Sequence, residues 1–183
     1  MTNLADIKAE IKLLKDLITD VPNEWDAKIC IKWMKDRGSK NWRQNEWIGW
    51  YGEEKVLEFI EGTSFKSPGD DFMPKGKGSN RFFDFKKKIN WDIKAHSNGV
   101  KGAALNDKVA MDNEIEKNKY LGLIILCLDC ELDENQSLHA WWTELKGGKS
   151  KYQIDRIQRN APHRKLKTQA KLTSINMVIL DSK

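Results

Sequence analysis

The chain has 183 residues, with 32 Lys+Arg against 27 Asp+Glu and a formal net charge of +5. That length suits one compact domain and excludes a multidomain machine; a hydrophobic fraction of 39% with 8 Trp and 6 Phe excludes a disordered tail, although 32% of residues are charged. No apolar run approaches the roughly 20 residues that span a bilayer, and the start, MTNLAD, lacks the basic and apolar regions of a secretory leader, so a cytoplasmic protein with no membrane partner is expected.

Leu4, Ile7, Ile11, Leu14 and Ile18 recur at helical spacing and predict a first amphipathic helix that ends before Pro22. A second helix is expected over 24–37, with Trp25, Ile29, Trp33 and Met34 inward and Gly38 as its stop, and a third from about Asn45 to Gly62 carrying Ile48, Val56, Leu57 and Ile60. The run TSFKSPGDDFMPKGKGSN over 63–80 reads as a loop suited to ordering on a partner. Two short strands are expected over 81–96, a helix over 104–119, and a fully buried strand over 121–132. A strand over 137–145, a short helix over 151–160 and a last strand over 174–180 complete the order. The pattern predicts a mixed α/β fold: a central mixed β-sheet flanked by helices. Cys127 and Cys130 form a CxxC, but without a second ligand pair beside it they read as two buried thiols on a strand. The tryptophans at 25, 33, 42, 47 and 50 read as core, and Trp141–Trp142 as neighbours on opposite faces of a strand.

The informative stretch is FFDFKKKINWDIK at 82–94. A hairpin turning at Lys88 sets Phe85 opposite Trp91, Phe83 opposite Ile93 and Asp84 opposite Asp92, with the apolar residues on one face and Asp84, Lys86, Asn90, Asp92 and Lys94 on the other. Opposed carboxylates need a compensating cation or a shared proton. Hard oxygen ligands select Mg²⁺ or Mn²⁺, to which an exposed Asp pair offers a seat that leaves room for water and substrate phosphate. Lys94, on the same face, is suited to orienting an attacking water or stabilising charge on a phosphate.

Asp84, seven intervening residues and then Asp92-Ile93-Lys94 resemble the core of the PD-(D/E)xK nuclease superfamily. The resemblance covers about 49–132, and among small members a type II restriction endonuclease is the nearest description. It departs from the pattern in having Phe83 where a Pro precedes the first acid, and in a short interval that leaves Asp70 or Asp71 as rival first acids. It implies a restriction-endonuclease-like core with an N-terminal helical extension. The single domain then has a helical part at 1–44, a catalytic core at 45–132 and a DNA-contacting, sheet-completing part at 133–183. The resemblance further implies a helix glutamate in a Gly-Glu context. Glu53 supplies it, sharing a helical face with Val56, Leu57 and Ile60, with Glu54 as second choice. The metal ligands implied are Glu53, Asp84, Asp92 and the Ile93 carbonyl.

Double-stranded DNA is the partner expected, with a homodimer that cuts both strands of a palindrome and uses the amino-terminal helices as its interface. Lys86, Lys87 and Lys88 at the hairpin tip are suited to phosphates, and His96, Ser97 and Asn98 to DNA near the scissile bond. Tyr152, Arg156, Arg159 and His163 fall at helical spacing, and Arg164, Lys165 and Lys167 follow in the densest basic segment of the chain. A structure-selective repair or junction-resolving nuclease and a non-catalytic DNA-binding protein are the alternative readings.

Overall fold

The computed structural model describes residues 3–66, 83–99, 108–160 and 165–182. The elements run α1 (Leu4–Leu17), β1 (Glu24–Asp26), α2 (Ala27–Asp36), a 3₁₀ turn (Lys40–Arg43), α3 (Trp47–Ile60), β2 (Phe85–Lys86), β3 (Asn90–Ser97), α4 (Lys108–Asn118), β4 (Tyr120–Leu132), α5 (Ser137–Leu145), α6 (Lys151–Gln158) and β5 (Lys167–Asp181). The fold is the expected mixed α/β type, a five-stranded mixed sheet in the order β1-β5-β4-β3-β2 with flanking helices. β2 and β3 form an antiparallel hairpin, and β3 pairs parallel with β4. The described residues fall into two compact units, one within Met1–Asn23, Gly52–Leu128 and Leu172–Lys183, the other within Glu24–Tyr51 and Asp129–Lys171. Among the described residues no helix is long and apolar enough to cross a membrane.

In the first unit α1 starts on a capping box made by Asn3 and Asp6 and buries Ile7, Glu10 and Leu14, spaced three and four residues apart. Val56 and Ile60 of α3, Phe85, Trp91, Ile93 and the run Leu121–Leu128 add most of the remaining core. Phe85 stacks on Trp91 with centroids 6.2 Å apart. Trp91 is possible only because its register partner is Gly122: a Cβ there would stand 2.5 Å from Trp91 Cδ2 and 2.7 Å from Cζ3.

In the second unit three expectations need correction. Residues 24–26 form β1, not the start of a helix, because the Asp26 carboxylate accepts the Ile29 N–H at 3.1 Å and makes Asp26 the N-cap of α2. The helical phase shifts accordingly. Ala27, Cys30, Ile31 and Met34 face inward, Ile29 is 69% exposed and Trp33 half-buried. Gly38, at φ +76°, ends α2 as expected, with Ser39 N–H donating to Met34 O at 3.0 Å. The third correction is α5, a helix where a strand was expected over 137–145. Buried Asp133 accepts the N–H groups of Leu138 at 3.3 Å and His139 at 2.9 Å, and Leu138 and Trp142, four apart, both bury.

The last strand is longer than 174–180, and β4 is buried only as far as Leu128 before its end emerges into solvent. Trp25, Trp42 and Trp47 are core, as expected; Trp50 is half-buried.

Candidate active site

The hairpin register is the one the alternation predicts, Phe85 with Trp91 and Lys86 with Asn90. At Asp84 the ladder changes character. Its N–H donates to Trp91 O at 2.8 Å, while its carboxylate Oδ2 accepts the Ile93 N–H at 2.6 Å, so a side chain stands where strand pairing would continue. Phe83, expected opposite Ile93, lies instead in a cluster with Leu121 and Leu123, beside Met111 and Ile115 of α4. Leu121 and Leu123 are the register partners of Asn90 and Asp92. The carboxylate face is therefore covered: Asp84 is 8% exposed and Asp92 2%, where an exposed pair was expected.

Burial decides the electrostatics. The Asp84 carboxyl is pushed up to about 8, first by desolvation, then by the negative charges of Glu53 and Asp92; the Ile93 N–H and the Lys94 ammonium pull the other way without prevailing. Lys94 Nζ lies 2.8 Å from Asp92 Oδ1, with its side chain 22% exposed. Glu53, half-buried on α3, joins the pair through its field. Glu53, Asp92 and Lys94, drawn from one helix and one hairpin, all act on Asp84.

Mg²⁺ takes one or two protein carboxylates and fills its remaining positions with water and substrate oxygens. Asp84 and Asp92 match that donor chemistry as two buried carboxylates on one hairpin. Among the described residues no group of three or more His, Cys, Asp or Glu forms a ready cage; Asp92 Oδ1 is engaged by Lys94 and Asp84 Oδ2 by Ile93 N. The fit is that of a two-carboxylate seat with Glu53 near it.

Glu54 is half-buried, and Asp70 and Asp71 lie outside the described residues. Lys86 and Lys87 are half-buried and Lys88 exposed; Lys87 Nζ lies 5.0 Å from the Phe65 ring centroid. His96 and Ser97 end β3 half-buried, and exposed Asn98 donates to Thr173 Oγ1 at 3.1 Å. Arg156 is on α6 and Arg159 is its C-cap, so the helical spacing stops before His163, which with Arg164 lies outside the described residues; of Tyr152 only the backbone is described. Lys165 pairs with Glu134 at 2.7 Å, and Lys167 opens β5, its carbonyl accepting Trp47 Nε1 at 2.8 Å. Cys127 and Cys130 are half-buried on β4, where buried thiols were expected.

Sequence reading missed two supports of this site. Glu10, buried on α1, accepts Trp91 Nε1 at 2.7 Å and Lys88 N–H at 2.9 Å, holding the hairpin from behind. Its signal was an acid three residues after Ile7 and four before Leu14. Asn90 donates through Nδ2 to Glu114 of α4, which also accepts Asn118 Nδ2 at 2.7 Å. Comparison of the chain with protein-family models, curated proteins and solved structures finds no match in any of the three.

Proposed function

We propose that this protein is a Mg²⁺-dependent DNA endonuclease of the PD-(D/E)xK kind, a sequence-specific type II restriction endonuclease that acts as a homodimer. The observation that carries the reading is the action of Glu53, Asp92 and Lys94 on Asp84, whose carboxyl is pushed up to about 8 first by burial and then by the charges of Glu53 and Asp92. A solvated hairpin with alternating charges gives no reason for such a cluster.

In this reading Asp84 and Asp92 hold the metal, with Glu53 and the Ile93 carbonyl beside them, and Mn²⁺ is able to substitute. When bound, Mg²⁺ neutralises charge on the phosphate and acidifies water. Lys94, tethered to Asp92, is oriented to donate to the attacking water or to a non-bridging phosphate oxygen. The water oxygen bonds to phosphorus as the bond to the leaving oxygen breaks; the proton that the water gives up passes to bulk solvent, from which the leaving oxygen takes one. DNA contacts are assigned to Lys86, Lys87, Lys88, His96, Ser97 and Asn98 beside the site, and to Arg156, Lys165 and Lys167 in the basic segment; Arg159, bonded back to the Asp155 carbonyl, is left out of the assignment.

The test is incubation with long unmethylated duplex DNA in Mg²⁺ and in EDTA, wild type beside Asp92→Ala. Discrete fragments in Mg²⁺ alone, absent with the mutant, are expected. Intact DNA in every lane would overturn the restriction reading, and branched substrates would then decide whether any nuclease activity remains.

A further inference from the structure

The second unit carries a groove of about 1180 Å³ whose lining includes the cations Arg43, Lys146, Lys149 and Arg156 and the acids Glu46 and Glu144. Two of these cations are held from behind by aromatic rings. Lys146 Nζ lies 3.7 Å from the Trp142 ring centroid, and the Arg43 guanidinium carbon 4.7 Å from that of Trp42. The rings are joined in turn, since Trp142 Nε1 donates to Trp42 O at 3.1 Å, and both are buried. Gly147 and Gly148, at φ +87° and +112°, turn the chain immediately after Lys146.

The arrangement is electrostatically unfinished. Lys146 is lowered to about 8, first by partial burial and then by the positive charge of Arg43, and Glu46 offsets this only in part. Like charges that share one groove are stabilised by an anion that reaches both.

We propose that this groove is a phosphate-binding site in which Arg43 and Lys146 are the anion ligands, and that the phosphate belongs to a nucleic-acid backbone. The polymer is favoured over a free anion by the rest of the lining. Lys149 and Arg156 extend the positive charge beyond the pair, and Gln44, Asn45 and Gln153 supply amides of the kind that reach sugars and base edges. The identity of the polymer as DNA rests on the nuclease reading; the anion chemistry does not.

The experiment is fluorescence anisotropy of a labelled DNA duplex with the full chain in EDTA, over a salt series, with inorganic phosphate and pyrophosphate as competitors. Lys146→Met keeps the stem against Trp142 and removes the charge; Arg43→Gln removes the other, and Lys146→Arg restores charge. Each neutralising variant is expected to weaken binding about three- to tenfold and to reduce the slope of log affinity against log salt by about 1, with Lys146→Arg near wild type. Tryptophan fluorescence reports whether the ring stack survives. Unchanged affinity and slope in both neutralising variants overturn the site. Loss of phosphate binding with duplex affinity intact overturns the nucleic-acid assignment. A protein that binds duplex through this pair and never cuts keeps this site and loses the nuclease reading; one that cuts with an unchanged salt slope does the reverse.

Discussion

The carboxylates of the first unit and the cations of the second are both like-charge clusters, but they are built on different mechanical foundations. Asp84 and Asp92 belong to the β2–β3 hairpin, and Asp84 is bonded into its backbone through the Ile93 N–H, so its carboxyl is held where burial first, and then the neighbouring negative charges, push its pKa up. Arg43 and Lys146 are long stems laid on ring faces, with charges free to shift toward solvent. The difference teaches what each cluster can serve. Short, fixed oxygen donors suit a small hard cation with strict geometry, whereas mobile cations on aromatic backing suit a diffuse anion whose position varies along a polymer.

The largest effect expected from this contrast is on cleavage. Asp92→Ala should lower the cleavage rate about a thousandfold or more while the circular dichroism spectrum stays native, because a charge opposed to the transition state is left without its counterpart. A mutant cutting at the wild-type rate would remove Asp92 from the site. Stability should move in the opposite sense. Asp84→Asn relieves a buried like-charge contact and should raise the melting temperature in EDTA by about 2–6 °C, the equivalent of about 1–2 kcal/mol for a chain of this size. In Mg²⁺ the order should reverse, since only the wild type gains from the metal. A melting temperature that drops in EDTA would mean that the Asp84 bond to Ile93 N–H outweighs the repulsion.

The pH profiles should separate the clusters by sign. The Asp84 pKa is raised in the folded state, from 3.8 to about 8, so its contribution to stability is present below 3.8 and is lost as pH rises toward 8. The Lys146 pKa is lowered, from 10.5 to about 8, so its contribution is complete above 10.5 and is lost as pH falls toward 8. In EDTA, Asp84→Asn should flatten the fall in melting temperature between about pH 4 and 8, and Lys146→Met the rise between about pH 8 and 10.5. Matching profiles for wild type and mutant in either window would remove that group from its cluster.

How far each cluster could be read from sequence follows from chain distance. Asp84 and Asp92 are eight residues apart within an alternating stretch, so a hairpin turning at Lys88 predicts their pairing directly, and the observed register agrees at Phe85–Trp91 and Lys86–Asn90, one step short of them. Their burial was not readable, because the cover comes from Phe83, Leu121, Leu123 and α4, and the departure of Phe83 from strict alternation depends on the Asp84 side chain replacing a backbone partner. Arg43 and Lys146 meet only after α5 forms. Aromatic residues at 141 and 142 argue locally for a strand; the Asp133 cap outweighs them, and no local rule links that cap to a distant 3₁₀ turn. Ile29 was misassigned for a similar reason, since moving the α2 start from residue 24 to residue 27 rotates which residues face inward.

The smallest effect divides the basic segment itself. Arg156 and Arg159 are three apart near the end of α6 and look equivalent in the sequence, yet only Arg156 lines the groove with Arg43 and Lys146. Arg159 is the exposed C-cap, and its Nε donates to the Asp155 carbonyl at 3.1 Å, closing the last turn of its own helix. If mobile cations act together on one phosphate path, Arg156→Ala should weaken duplex binding in EDTA about threefold and lower the salt slope by about 1. Arg159→Ala should leave both within error and cost at most about 0.5 kcal/mol of stability, as surface substitutions usually do. Equal losses from both arginines would mean that binding follows the net charge of the segment and not the shape of the groove, and the contrast with the fixed carboxylates would then rest on charge alone.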